Sequence, residues 1–248
     1  MNQYLINENA LLEEGLSKLD SLGHSVLIVV NDFVKLLGTV TDGDVRRSLL
    51  SGGSSITKIS SLMNNEPKFI QNNCIDVENI VSYREMGIGV LPVVDSNGIV
   101  IDVLDFINRQ NLLPIDVIIM AGGQGVRLKP LTNDTPKPLL LVGDKPIIDY
   151  NIDRLRTYGV KRITITVRYL KGLIIDHFRS KQNDLLKYNF IEEEIPLGTL
   201  GAVSLMDSFN SKYILISNSD ILTNIDYEKF FLHFLKEDAD IAVASVPY

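Results

Sequence analysis

Residues 117–128 read Val117-Ile118-Ile119-Met120-Ala121-Gly122-Gly123-Gln124-Gly125-Val126-Arg127-Leu128, an apolar run that enters three glycines in four positions. Such a run ahead of a glycine turn predicts a buried strand, and the glycines let backbone amides approach an anion without interference from a Cβ. A tight turn alone would also account for them. The turn is not a Walker loop, which ends in Lys-Ser/Thr, and it lacks the third glycine of the dinucleotide fingerprint. About 25 residues then separate the strand from the next helix pattern, and they carry Pro130-Leu131-Thr132, Pro136-Lys137-Pro138-Leu139-Leu140 and Lys145-Pro146-Ile147-Ile148. Structured loops of that length are usually functional, and the prolines stiffen this one.

Downstream, helix and strand patterns alternate. Helices are expected near 147–158, 173–178, 200–209 and 227–236, and strands at 162–167, 190–194, 213–217 and 241–246. Strands separated by helices call for a mostly parallel sheet covered on both faces, a three-layer α/β/α architecture whose ligands sit at the carboxyl ends of the strands. Two segments fall at such ends: Glu194-Ile195-Pro196-Leu197-Gly198-Thr199-Leu200-Gly201-Ala202, and Ser217-Asn218-Ser219-Asp220. The Asp220 carboxylate suits either a divalent cation or a cap on the next turn. Arg154, Arg156, Lys161 and Arg162 read as cations at an exposed helix end, and His24, His177 and His233 as packing or surface residues.

Upstream lies a repeat. Gly23–Val30 and Gly87–Val94 align without gaps at an offset of 64, each preceded by a helix pattern and followed by a polar turn and a second strand. The unit reads as a helix, a strand pair and a closing helix, an α+β module in two copies, about 3–63 and 64–113. Pro114 disfavours continuation of a helix, so the expected boundary separates residues 1–113 from 114–248. In Gly38-Thr39-Val40-Thr41-Asp42-Gly43-Asp44-Val45-Arg46-Arg47 a strand becomes a helix, and Asp42 and Asp44 are natural helix-start residues.

Composition narrows the classes. The 248 residues are 45% hydrophobic and 22% charged, enough apolar material for packed cores. A net charge of −7 gives no broad cationic field, which argues against non-specific binding of nucleic acid or of an anionic membrane. Residues 1–113 carry 8 Lys+Arg against 14 Asp+Glu, whereas the remainder is nearly balanced. With one cysteine, Cys74, and three scattered histidines, neither a disulfide scaffold nor a zinc site is expected. A short apolar maximum at Val26–Val30 and a start without a basic segment lead us to expect a cytoplasmic protein.

The joint pattern of glycine turn, Pro-Lys-Pro and Lys-Pro-Ile-Ile resembles the sugar-1-phosphate nucleotidyltransferase family, with Val126 and Leu141 where that family commonly has Thr and Pro. The resemblance implies a Rossmann-like nucleotidyltransferase fold that binds a nucleoside triphosphate through Ala121, Gly122, Gly123, Gln124, Gly125, Glu194, Pro196, Gly198 and Thr199. It further implies catalysis by Arg127 and Lys137, Mg²⁺ held by Asp220, and a sugar 1-phosphate as acceptor, with GTP preferred as donor. Family members carry roughly another hundred residues with a sugar pocket and a second metal-binding aspartate, so the resemblance implies either a truncated form of a longer chain or a protein that has lost half of its active site. Residues 3–112 resemble a cystathionine-β-synthase (CBS) domain pair, which implies a regulatory or dimerising module, a homo-oligomer, and an adenine nucleotide site at Thr41 and Asp44. In the second copy Asp105 and Asn108 stand at those two places, so that pattern is lost there. A non-catalytic nucleotide sensor is the competing reading of the whole chain.

Overall fold

The computed structural model describes residues 1–23, 26–109, 111–181, 186–195, 197–206 and 208–245. They form two compact units, Met1–Asn111 and Leu112–Tyr248.

The first unit runs β1 (Leu5–Asn7), α1 (Leu12–Leu22), β2 (Val26–Val30), β3 (Leu36–Thr41), α2 (Asp42–Leu50), β4 (Ile70–Gln71), α3 (Val77–Glu85), β5 (Val90–Val94) and β6 (Val100–Asp105). Two three-stranded sheets result, β1-β2-β3 and β4-β5-β6. In the hairpins, Val26 pairs with Thr41 and Val90 with Asp105, with an irregularity at Val29/Val30 and again at Val93/Val94. Adding 64 to every residue of the first pairing yields the second. Ile28 and Val30 share one buried cluster with Val90, Val94, Val100 and Val103, so the two hairpins exclude water from each other.

The copies differ where a closing helix is expected. Thr41 and Asp44 open α2 through a reciprocal capping box. In the second copy no helix follows β6 among the described residues, and Phe106–Asn108 is a turn. There the Asp105 carboxylate accepts from the Ile107 amide at 2.9 Å and from the Asn108 side chain, which closes the turn, and Pro114 lies too near for a helix to establish itself.

The second unit contains β7 (Ile115–Met120), β8 (Leu141–Val142), β9 (Lys145–Pro146), α4 (Ile147–Thr157), β10 (Arg162–Val167), α5 (Lys171–Arg179), β11 (Lys187–Glu192), α6 (Gly198–Gly201), β12 (Tyr213–Asn218) and α7 (Tyr227–Lys236). Its main sheet is parallel throughout, in the order β11-β10-β7-β12. In β10, Ile163, Ile165 and Val167 alternate with Thr164 and Thr166, and all five are buried, as expected for a strand covered on both faces. α4 buries Ile148, Ile152 and Leu155, one helical stripe. Asp149 on the same helix takes His177 of α5 at 3.0 Å and Lys181 at 2.5 Å, which gives His177 a structural role. Tyr158 meets Tyr227 of α7 edge to face at 5.5 Å.

Three sequence expectations change. The helix over 200–209 shrinks to α6 and a 3-10 turn at Ala202–Leu205, since Gly198 and Gly201 weaken helix propagation. Residues 241–245 form no strand, and Ile241 and Val243 are 76% and 78% exposed; Val246 lies outside the described residues, as does His24. Arg154 is not a solvated helix-end cation. Its guanidinium donates to the carbonyls of Thr223 (2.7 Å) and Ile225, bracing the loop that follows β12.

Candidate active site

Strand order locates the site. The chain steps outward from β7 to β10 to β11, then returns to place β12 on the other side of β7. The direction of winding therefore reverses between β7 and β12, and a crevice opens at the carboxyl ends of those strands. A cleft of about 500 Å³ lies there, and the glycine turn after β7 and the Ser219-Asp220 segment after β12 both line it.

Ala121, Gly122, Gly123, Gly125, Arg127, Lys137, Gly198 and Asp220 all line this cleft. Gly125 is required by the protein itself: its φ is +62°, and a Cβ there would lie 2.9 Å from Thr132 Cγ2 and 3.1 Å from Lys137 Cβ. Gly123 differs. A Cβ on it would meet nothing within 4 Å, so the space beside its backbone belongs to the cleft. The long connection from Ala121 to Pro146 is ordered by two 3-10 turns, Val126–Leu128 and Lys137–Leu139, and by the β8-β9 hairpin. Thr132 is fully buried and donates to the Gly125 carbonyl at 3.0 Å, while the Tyr169 hydroxyl lies 3.0 Å from the Thr132 carbonyl and 2.9 Å from that of Asn133. The loop is thus pinned to the end of β10.

Lys137 and Asp220 form an ion pair inside the cleft. Arg127 is exposed and lines the same hollow. Asn151, buried on α4, donates to the Ser219 carbonyl at 3.3 Å, so α4 holds both flanks of Asp220, through Asn151 on one side and Arg154 on the other. No cluster of three or more His, Cys, Asp or Glu side chains suited to a metal occurs among the described residues. Asp220 therefore fits only a cation that takes most of its oxygens from a ligand and from water, which is how Mg²⁺ is commonly held beside phosphates.

Other expected residues fall elsewhere. Gln124 and Glu194 are exposed and do not line the cleft, Pro196 lies outside the described residues, and of Thr199 only the backbone is described. β11 ends at Glu192, two residues earlier than expected, and just beyond it Glu193 is buried while Glu194 is exposed. Glu193 is 8% exposed, and a Cβ on Gly122 would stand 3.0 Å from its Oε1. Sequence reasoning missed Glu193 and also Arg168, the residue after β10, which lines the cleft as well. The signal was available for Arg168, which directly follows a strand expected at 162–167 at its carboxyl end, but not for Glu193, which fell inside the strand expected over 190–194.

In the first unit, the Thr41 amide and hydroxyl donate to Asp44 Oδ2 at 2.7 and 2.6 Å, and Arg47 pairs with Oδ1. Burial alone would raise the Asp44 carboxyl, but the hydrogen bonds from Thr41 and Arg47 outweigh it and hold the group below its ordinary value.

Residues 116–248 match the family described as Nucleotidyl transferase. Among curated relatives, the D-glycero-alpha-D-manno-heptose 1-phosphate guanylyltransferase of Campylobacter jejuni is 33% identical over 120 residues, which cover 48% of this chain and 53% of that protein. The mannose-1-phosphate guanyltransferase beta-B of Xenopus laevis is 31% identical over 127 residues, 48% of this chain and 35% of that one. The chain thus spans between about a third and about half of the length of these relatives. Among solved structures, the CBS domains of a transcriptional regulator from Streptococcus pneumoniae align with 42% of this chain and 84% of that one, at 20% identity and a TM-score of 0.36. With a matched profile spanning more than half of its residues and a glycine turn at the switch point of a parallel sheet, the chain belongs to the nucleotidyl transferase family.

Proposed function

We propose that the second unit binds a nucleoside triphosphate for transfer to a sugar 1-phosphate, yielding an NDP-sugar and pyrophosphate. The observation that carries this reading is the gathering of Gly123, Arg127, Lys137 and Asp220 around one cleft at the switch point. In the reaction an oxygen of the sugar phosphate attacks the α-phosphorus of the triphosphate, the new P–O bond forms, and the bond to the β-phosphate oxygen breaks to release pyrophosphate. Both partners are anions, so the protein's task is to align them and to offset their charge. The Gly122–Gly123 backbone receives the phosphates, Arg127 offers a planar fork of donors to the departing pyrophosphate, and Lys137 presents a point charge to the α-phosphate and the attacking group. Mg²⁺, held by Asp220, would supply further charge neutralisation. Until ligand arrives, Lys137 and Asp220 neutralise each other.

GTP is the donor we favour. Glu193 places a buried carboxylate beside the turn, and guanine is the common base with two adjacent donors, N1–H and N2–H, for such a group. The acceptor is of the mannose, heptose or amino-sugar 1-phosphate type. For the first unit we favour a CBS pair that regulates or dimerises the chain: Thr41 and Asp44 satisfy each other in the capping box, which supports a structural role over adenine nucleotide binding.

The test is pyrophosphate release, measured with each nucleoside triphosphate across a panel of sugar 1-phosphates. We expect turnover with GTP and at least a hundredfold loss in Arg127→Ala, as is typical when a preorganised charge is removed. Unchanged activity in that variant overturns the assignment of Arg127, and tight nucleotide binding without turnover favours the sensor reading.

A further inference from the structure

The strand pairings align four cleft residues. Ile191, Thr166, Met120 and Asn218 form the last rung common to the four strands. Two positions further along stand Glu193, Arg168, Gly122 and Asp220, and all four line the cleft. With neighbouring strands about 4.8 Å apart, Arg168 lies one strand from the phosphate turn, on the side away from Asp220 and next to Glu193. Lys137 pairs with Asp220, which follows β12, whereas Arg168 and Glu193 follow β10 and β11 on the other side of β7.

Arg168 is half-buried, and no carboxylate pairs with it among the described residues. The neighbouring acid Glu192 is taken by Lys171. Its backbone is fixed on both sides, by fully buried Val167 before it and by Tyr169 after it, whose hydroxyl meets the Thr132 and Asn133 carbonyls. A guanidinium on a fixed backbone in a ligand cleft, with no carboxylate partner among the described residues and one strand over from the phosphate turn, is preorganised for a planar pair of acceptors.

We propose that Arg168 is a specificity-determining residue that reads the O6 and N7 acceptors of guanine beside Glu193. This inference rests on the nucleotide-binding reading above. Guanine offers two acceptors on that edge, adenine replaces one of them with the N6 donor, and pyrimidines lack N7 altogether. A carboxylate for N1–H and N2–H and a guanidinium for O6 and N7 together select guanine over every other common base, by attraction to the right edge and by unpaired or opposed groups on the wrong one.

The experiment is calorimetric titration of the full chain, wild type, Arg168→Ala and Arg168→Lys, with GTP, 7-deaza-GTP and ATP, each variant checked for an unchanged melting temperature. The expected result is that wild type binds 7-deaza-GTP on the order of tenfold more weakly than GTP, while Arg168→Ala binds the two alike. Arg168→Lys should retain part of the preference. Equal binding of GTP and 7-deaza-GTP by wild type, with Arg127→Ala still abolishing triphosphate binding, overturns the proposal and leaves the nucleotide reading standing. An equal loss for GTP, 7-deaza-GTP and ATP in Arg168→Ala also overturns it, because that pattern marks a phosphate contact. Absence of binding by any of the three nucleotides overturns both.

Discussion

At the scale of single residues, two glycines of one turn do different work. Gly125 serves the fold, through a left-handed backbone and a neighbour at 2.9 Å, whereas Gly123 leaves its side open to the cleft. We expect Gly125→Ala to lower stability by about 1–3 kcal/mol, from backbone strain and crowding. Gly123→Ala should leave the unfolding midpoint within about 0.5 kcal/mol of wild type, yet weaken nucleotide binding on the order of tenfold, because the methyl occupies space meant for phosphate. Urea denaturation and titration of both variants check this, and a reversal of the two phenotypes would refute the distinction. The glycine turn, Arg127, Lys137 and Asp220 were legible in sequence because each sits in a short motif with its own chemistry. Glu193 was not, since three consecutive glutamates, Glu192–Glu194, are indistinguishable until the folded chain buries one of them.

At the scale of elements, most helices and strands were readable from periodicity, and the two missed helices share a cause. β10 was read without error because its alternation is unbroken. The closing helix of the second repeat and the helix over 200–209 both failed where local groups competed with the helix, Asp105 by closing a turn and Gly198 and Gly201 by lowering propensity. α2 shows the opposite balance, with a cap strong enough to start it. Because hydrogen bonds hold the Asp44 carboxyl below its ordinary value of 3.8, ionised Asp44 stabilises the folded state at neutral pH. That contribution is fully present above the unfolded value and is lost as pH falls below it through the folded value. Asp44→Asn should therefore destabilise by about 1 kcal/mol at pH 7 and by less near pH 3. Denaturation midpoints of both proteins measured across that interval test the sign, and a gap that widens in acid contradicts it.

At the scale of the whole molecule, each unit has its own buried core, and the composition already hinted at the division through an acidic first part and a balanced second one. Offset arithmetic revealed the duplication in the first unit, whereas the sheet order of the second depends on long-range pairing that no local pattern encodes. If nucleotide binds the second unit, Mg²⁺ and GTP should raise the unfolding temperature of that unit alone, by the equivalent of about 2.7 kcal/mol at a ligand concentration a hundred times Kd. Scanning calorimetry with and without ligand would reveal it, and equal shifts of every transition would argue against a site confined to residues 112–248. The shared offset of Glu193, Arg168, Gly122 and Asp220, each two residues past the last common rung, carries one more consequence. Side chains alternate along a strand, so a one-codon insertion or deletion inside β7, β10, β11 or β12 either exchanges a group at the mouth of the cleft for its neighbour or slides the strand against its partners. Substitutions within these strands can be absorbed by repacking, but changes of length cannot, and a lineage that keeps this chemistry should vary in loop size while the four strand-to-rung spacings stay constant.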